Sequence, residues 1–329
     1  MVSSSDVDLV PLRRFWHPVA DSATIKGEPI KVTLLDEDLV LFRSDGRLSA
    51  FSDVCVHRGT RLSLGWVTDD GCLQCPYHGW TYNSSGECVR IPSQPAHGQR
   101  IPPKARATSY RVEEKYGLVW VVLDEPSRPI PSYPWFEDPD YHTWTKYCGT
   151  RDTGSARFAE NALDLAHLDF VHPGLLGSPG DTVIEPYDVQ VKDMTVIMKY
   201  AKTSVGPETF SDGVETVRHE IRVEVPYTFT IILKGERGTT TIWGLHQPIS
   251  WNRCALWRLE SRNHSLDIPD DDFIDFLDQL LPQDKEIIES QRPHLLPIDL
   301  TEELHLKVAD AGSVAYRRLL RTELGLSHA

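Results

Sequence analysis

Two cysteine–histidine pairs constrain this chain more than any other feature. Cys55-Val-His57 and Cys75-Pro-Tyr-His78 are separated by seventeen residues, Arg58 to Gln74. Two thiolates and two imidazoles in that pattern can hold a [2Fe–2S] cluster, with the cysteines on one iron and the histidines on the other. Such mixed ligation raises the cluster potential above that of an all-cysteine site. Gly59, Pro76 and Gly79 are turn formers beside the ligands, where the backbone must bend closely around the sulfides. The pairs therefore predict two ligand loops at the tip of a small β domain.

Cys72 and Cys75 also form a C-x-x-C, which on its own reads as a zinc knuckle or a thioredoxin-like pair. Zinc would want a second closely spaced pair, and Cys55-x-His57 leaves one residue between ligands. A redox C-x-x-C usually opens a helix, whereas Gly-Cys-Leu-Gln-Cys-Pro reads as a strand running into a turn. Cys72 is then a small strand residue and no ligand.

The 329 residues allow two domains with separate cores. No apolar run reaches the length of a membrane span, and the start Met-Val-Ser-Ser-Ser-Asp lacks a basic region followed by an apolar stretch. Six cysteines at irregular spacing do not form a disulfide framework, so a reducing cytoplasm is the expected setting. A net charge of −14 argues against nucleic acid as a partner, and the acidity lies mostly beyond residue 126.

Short β-type runs fill the first part: Ile30–Leu35, Leu39–Arg43, Leu48–Phe51, Leu73–Cys75, Thr81–Tyr82, Cys88–Ile91, Tyr110–Val112 and Gly117–Leu123. Asp45-Gly46 and Ser85-Gly86 are hairpin signals. Five prolines between Glu125 and Pro139 are linker chemistry. The boundary falls there, giving an all-β domain over 1–126 and a second domain over 127–329. In the second, Ser155–His167 reads as a helix. β-type segments follow (Val189–Val191, Thr195–Tyr200, Glu220–Leu233, Thr239–Leu245, Cys254–Leu259), then a helical tail from Pro269. No glycine-rich dinucleotide fingerprint or phosphate loop is visible, so a cluster here cannot be loaded directly from NAD(P)H and must take electrons from something else.

A second constellation lies in Asn161-Ala-Leu-Asp164-Leu-Ala-His167-Leu-Asp-Phe-Val-His172. Asn161, Asp164 and His167 recur at helical spacing and share one face, and Pro173-Gly174 can turn His172 back toward His167. Two imidazoles and one carboxylate leave positions open on an iron, as in the facial triad of non-haem Fe(II) oxygenases. The carboxylate must come from elsewhere. Asp284, Ile287, Ile288 and Gln291 stand at i, i+3, i+4 and i+7 in a helix that Pro282 would begin and Pro293 would end. Asp284 thus sits on the inward stripe, where a carboxylate needs a partner and a metal is a good one. Asp278 and Glu289, on more polar faces, are the weaker alternatives.

Cys-Val-His-Arg-Gly and Cys-Pro-Tyr-His-Gly-Trp resemble the Rieske signature almost letter for letter. Over nearly its full length the chain resembles the α subunits of Rieske non-haem iron oxygenases, of the α-only type of vanillate and dicamba O-demethylases and saxitoxin-biosynthesis hydroxylases. The N-x-x-D-x-x-H-x(4)-H motif matches at Asn161, Asp164, His167 and His172, and Gln-Asp-Lys-Glu-Ile-Ile-Glu-Ser-Gln matches the ligand helix at Asp284. Tyr116-Gly-Leu-Val-Trp-Val and Val314-Ala-Tyr-Arg-Arg look closest to the saxitoxin-type branch. The resemblance implies an α+β protein: a Rieske domain joined to a helix-grip (START-like) catalytic domain, assembled as a homotrimer. It implies a cluster held by Cys55, His57, Cys75 and His78, and mononuclear Fe(II) held by His167, His172 and Asp284. Asp164 would bridge a histidine of each site across a subunit interface. Dioxygen and a small organic substrate, aromatic or polycyclic, would be hydroxylated or O- or N-demethylated, with an external NAD(P)H-dependent reductase or ferredoxin supplying electrons.

Three other readings stay open: a hydroxylase of a cationic alkaloid, a Rieske electron carrier with a binding domain, and a redox-sensing pocket protein. Alternation along the strands predicts a pocket lined by Phe229, Ile231, Thr241, Trp243 and Leu245, though the same residues could be core.

Overall fold

Antiparallel strands dominate the computed structural model, which describes residues 8–176, 182–206 and 211–329, with the side chains of 204–215 left aside. The chain divides into two compact units, Leu12–Ile130 and Pro131–Ala329, the second including the stretch up to Pro11.

The first unit holds ten strands: β1 (His17–Asp21), β2 (Ile30–Leu34), β3 (Glu37–Ser44), β4 (Arg47–Ser52), β5 (Trp66–Val67), β6 (Leu73–Gln74), β7 (Thr81–Tyr82), β8 (Cys88–Arg90), β9 (Ser109–Lys115) and β10 (Leu118–Val122). They form a six-stranded sheet in the order β1-β10-β9-β4-β3-β2 and a four-stranded sheet β5-β6-β7-β8. Asp45-Gly46 is the two-residue turn of the β3–β4 hairpin. The sequence did not announce β1 or β5, because β1 is buried without alternation and β5 is two residues long. Val40, Phe42, Phe51, Leu73 and Tyr82 pack into one apolar cluster that also takes in Cys55 and Cys75.

In the second unit β11 (His142–Arg151), β12 (Asp188–Lys192), β13 (Thr195–Gly206), β14 (Ser211–Glu224), β15 (Thr228–Lys234), β16 (Thr239–Ser250) and β17 (Arg253–Arg262) form one antiparallel sheet, ordered β11-β17-β16-β15-β14-β13-β12. The run expected over Glu220–Leu233 is two strands, since Pro226 cannot donate to a ladder and sits in the turn between them. Among the described residues four helices accompany the sheet: α1 (Ser155–Asn161), α2 (Leu168–Val171), α3 (Asp270–Ser290) and α4 (Ala311–Leu324). No described helix is long and apolar enough to cross a membrane.

Two helical expectations need correction. The helix read over Ser155–His167 stops at Asn161, and Asp164 and His167 lie in the break before α2. Asp164 ends it by accepting the Ala166 N–H at 2.8 Å, the local side-chain bond by which aspartate competes with a helix. Pro282 does not begin a helix but lies inside α3, which starts twelve residues earlier with three aspartates in its first turn. An interior proline costs a helix about 3 kcal/mol, so burial of Phe273, Phe276, Leu280 and Ile288 must hold α3 together.

Candidate metal centres

Both cysteine–histidine loops close in the same way. The Cys55 N–H donates to the Thr60 carbonyl at 2.8 Å, and the Gly59 N–H returns to the Cys55 carbonyl at 2.8 Å. In the second loop Cys75 donates to Trp80 at 2.9 Å and Gly79 to Cys75 at 3.0 Å. Gly59 and Gly79 have φ of +73° and +69°, a region that costs residues with a Cβ. One six-residue turn is thus used twice, with histidine third in one copy and fourth in the other. The His57 and His78 rings end 4.6 Å apart. His57 stacks on Trp80, with centroids at 4.5 Å and planes 6° apart.

The Cys55 and Cys75 sulfurs are neighbours too. Burial and the neighbouring Cys55 sulfur push the Cys75 thiol up, against the backbone N–H of Tyr77. Two sulfurs inside and two imidazoles toward the surface are the donor set a histidine–cysteine cluster requires. Tyr82, which the sequence gave no reason to single out, places its buried hydroxyl 3.2 Å from Cys55 Sγ. Cys72 forms no part of this group; its thiol points at the Asp70 carbonyl. Val56 and Tyr77, on the loops themselves, are exposed.

In the second unit, ligand atoms of His167, His172 and Asp284 lie within 4.8 Å of one another. Asp284 Oδ1 is 3.1 Å from His172 Nε2 and 3.6 Å from His167 Nε2. Gln283, missed in the sequence, meets His172 Nδ1 at 2.7 Å through Oε1. An amide oxygen only accepts, so Nδ1 carries the proton and Nε2 presents its lone pair to Asp284. Lone pairs and a carboxylate converging on one point repel unless a cation lies between them, which is the fit a divalent iron requires. Asn161 donates to Asp284 Oδ1 at 3.2 Å.

Asp164 Oδ2 stands 3.7 Å from His167 Nδ1, which is buried and has no hydrogen-bond partner. Burial raises the Asp164 carboxyl, but the facing ring and the N–H groups of Ala166 and His167 outweigh it and hold it below the usual range. The alternative carboxylates are engaged elsewhere. Asp278 pairs with Lys146 and with Arg258, and Glu289 pairs with Lys285 and accepts the Asp152 N–H.

The triad forms part of the wall between two cavities of about 200 Å³ each. One runs between the sheet and α3 and is largely apolar, with Phe229, Ile231, Ile242, Phe276 and Leu280 among its walls. The other is polar, is reached by Asp164, His167 and Asp284, and is flanked by exposed Ile287 and Leu304. Phe229 and Ile231 line the apolar cavity as alternation suggested, but Thr241, Trp243 and Leu245 do not. In the register of β15 and β16, Phe229 opposes Gly244 and Ile231 opposes Ile242, so the even-numbered residues of β16 face inward. The odd face is buried too: Trp243 stacks on Tyr133 at 4.8 Å, and Thr241 Oγ1 lies 2.7 Å from the Tyr133 hydroxyl. A strand buried on both faces gives alternation nothing to choose between.

Two family models match the sequence: the Rieske [2Fe-2S] domain over residues 15–116 and the vanillate O-demethylase oxygenase C-terminal domain over 151–324. Methylxanthine N3-demethylase of Pseudomonas putida is 32% identical, covering 97% of this chain and 91% of that protein. Methylxanthine N1-demethylase of the same organism is 31% identical, covering 96% and 90%. The solved structure of NdmA from Pseudomonas putida CBB5 with caffeine superposes with a TM-score of 0.84 at 29% identity, covering 95% of this chain and 91% of that one.

Proposed function

Because this chain belongs to the Rieske non-haem iron oxygenases, we propose that it is a terminal oxygenase that demethylates small planar heteroaromatic compounds oxidatively. It is an oxidoreductase of the kind that carries a [2Fe–2S] cluster and mononuclear iron. One observation carries the reading: two imidazoles and a carboxylate converge at the wall of a largely apolar cavity.

We assign Cys55, His57, Cys75 and His78 to the cluster, in the part ending near residue 126, and His167, His172 and Asp284 to iron, within 127–329. When bound, these groups supply electron storage and dioxygen activation. The protein does the rest. Gln283 fixes the His172 tautomer and Asn161 steadies Asp284. The apolar walls exclude water and hold a flat ring with its methyl group toward the triad. One atom of O2 enters the methyl carbon and the other leaves as water, with two electrons and two protons consumed. The hydroxymethyl product then separates into the N–H or O–H compound and formaldehyde.

The chain has no dinucleotide fingerprint, so the electrons come from a separate NAD(P)H-dependent reductase or ferredoxin. Side chains exposed beside the two sites support a homotrimer. Val56 and Tyr77 would meet Ile287 and Leu304 of the next copy, and a cluster histidine would reach Asp164, whose side chain is 41% exposed. All six cysteines are free, in keeping with a reducing cytoplasm.

The test is formaldehyde release from a panel of N-methyl heterocycles and O-methyl aromatics, with a surrogate reductase and NADH. Three irons per chain are expected, falling to two with loss of formaldehyde in Asp284→Ala. Two irons in the wild-type chain would point to an electron carrier. Ring-hydroxylated products without formaldehyde would point to hydroxylation.

A further inference from the structure

We propose that Arg258 and Glu260, buried side by side in the wall of the apolar cavity, read a neutral donor–acceptor edge of the substrate, an N–H beside a C=O as in a lactam, imide or ureide. The inference rests on the cavity being the substrate site. Both residues lie on β17 and face inward, opposite Gly244 and Ile242 of β16. They are 3% and 1% exposed.

Their polar atoms are incompletely used. Arg258 Nε faces the Glu260 carboxylate, and Nη2 reaches Asp278 Oδ1 at 3.3 Å. Arg258 Nη1 has no hydrogen-bond partner; Glu260 Oε1 is the oxygen that meets Nε, and Oε2 has no partner among the described residues. A guanidinium N–H and a carboxylate oxygen left so in a buried wall ask for an acceptor and a donor. Burial, with the Asp278 charge nearby, pushes the Glu260 carboxyl up to about 7 in spite of Arg258.

Charge decides between a neutral and an anionic partner. Arg258 and Lys146 are balanced by Glu260 and Asp278, to which they are paired. A substrate carboxylate would bring an uncompensated charge into this group, whereas a neutral edge supplies both missing partners without one.

Position fits the same class. Asp278, which holds Arg258, precedes the metal-side Asp284 by six residues on α3, about 9 Å along the axis at 1.5 Å per residue. The pair and the triad thus line one cavity at different levels along α3, an arrangement that suits a ring with its methyl at one end and its polar edge at the other. Between Arg258 and Phe229 the wall has no side chain. A Cβ on Gly244 would lie 2.1 Å from the Phe229 ring, so that ring covers the glycine and offers a flat surface beside the pair.

The test uses the holoenzyme and three bicyclic probes of similar size, with dissociation constants measured by calorimetry without oxygen. They are 1-methylquinazoline-2,4-dione, its 1,3-dimethyl analogue lacking the N–H, and the anion 6-methoxy-2-naphthoate. The N–H dione should bind at least tenfold tighter than either. In the double variant Arg258→Met/Glu260→Met, with cluster spectrum and iron content checked, the preference should fall below twofold. Equal binding of the two diones by the wild type, tightest binding of the naphthoate, or a preference that survives the double variant would each overturn the inference. Formaldehyde release by the same protein is read separately. Release without the preference overturns only the role of the pair. A preference without release from any methylated probe upholds the pair and overturns the reaction.

Discussion

Asp164 illustrates how one residue can serve two neighbours. Its Oδ1 is committed to the Ala166 N–H, which ends the helix, while Oδ2 faces His167 and the polar cavity. Asp164→Asn keeps the shape but removes the charge and one acceptor oxygen. Both centres should stay occupied and the cluster should still reduce in bulk. Cluster reoxidation on mixing reduced protein with substrate and oxygen should slow at least a hundredfold. A wild-type rate in stopped-flow would reduce Asp164 to a helix stop. At this scale the sequence was informative wherever a residue's chemistry demands a partner. Two cysteines, four histidines and an aspartate turned inward are hard to place otherwise. The stripe read with Asp284 is nonetheless mixed, since Ile288 is buried while Ile287 is exposed and Gln291 lies past the end of α3. Gln283 was not legible, because glutamine beside a ligand looks like any polar helix residue. Nor was the Arg258–Glu260 pair, which alternation along β17 does not distinguish from a surface ion pair.

The elements were legible where polarity alternates or a turn residue intervenes, and illegible where burial is two-sided. β15 and β16 show both cases, the first lining the cavity as expected and the second facing it with its other side. Helix ends were the weakest point: a bond from Asp164 shortened α1, and apolar contacts carried α3 through Pro282. Element packing also sets acid stability. On β1, burial lowers the His17 imidazole to about 4, and its Nε2 donates to the Leu12 carbonyl at 3.1 Å. The unfolded chain takes up that proton near 6.5 and the folded one near 4. Stability is therefore full above about 6.5 and is lost as pH falls toward 4, by up to about 1.4 kcal/mol per pH unit. His17→Gln should flatten the difference in denaturant midpoint between pH 7 and pH 5, followed by loss of the cluster's visible absorption. An unchanged slope would place the acid sensitivity elsewhere.

For the whole molecule, the two-part organisation and both cofactors could be argued from spacing, while the assembly could not, since nothing in one chain's periodicity encodes its neighbour. The proposed homotrimer makes a claim that single variants do not test. On the proposed assignment Cys75→Ala should lack the cluster and Asp284→Ala the iron, so each alone should release no formaldehyde. Dissociated, mixed and reassembled, they should recover a substantial fraction of wild-type turnover, because an intact cluster can then face an intact iron across an interface. Each variant reassembled alone is the control. No recovery, with mixed trimers verified by mass, would mean that each chain serves its own iron.

The twin turns around Cys55 and Cys75 bear on how the cofactor is acquired and repaired. Their closing hydrogen bonds run between backbone groups of the cysteine, the glycine and the residue that follows, and use neither imidazole. The cradle is thus shaped by peptide geometry, and insertion should resemble docking into a socket more than folding around a template. Protein bleached by mild oxidation should recover its colour with ferrous iron, sulfide and thiol under argon, without passage through denaturant. The circular dichroism of its sheets should not change at any stage.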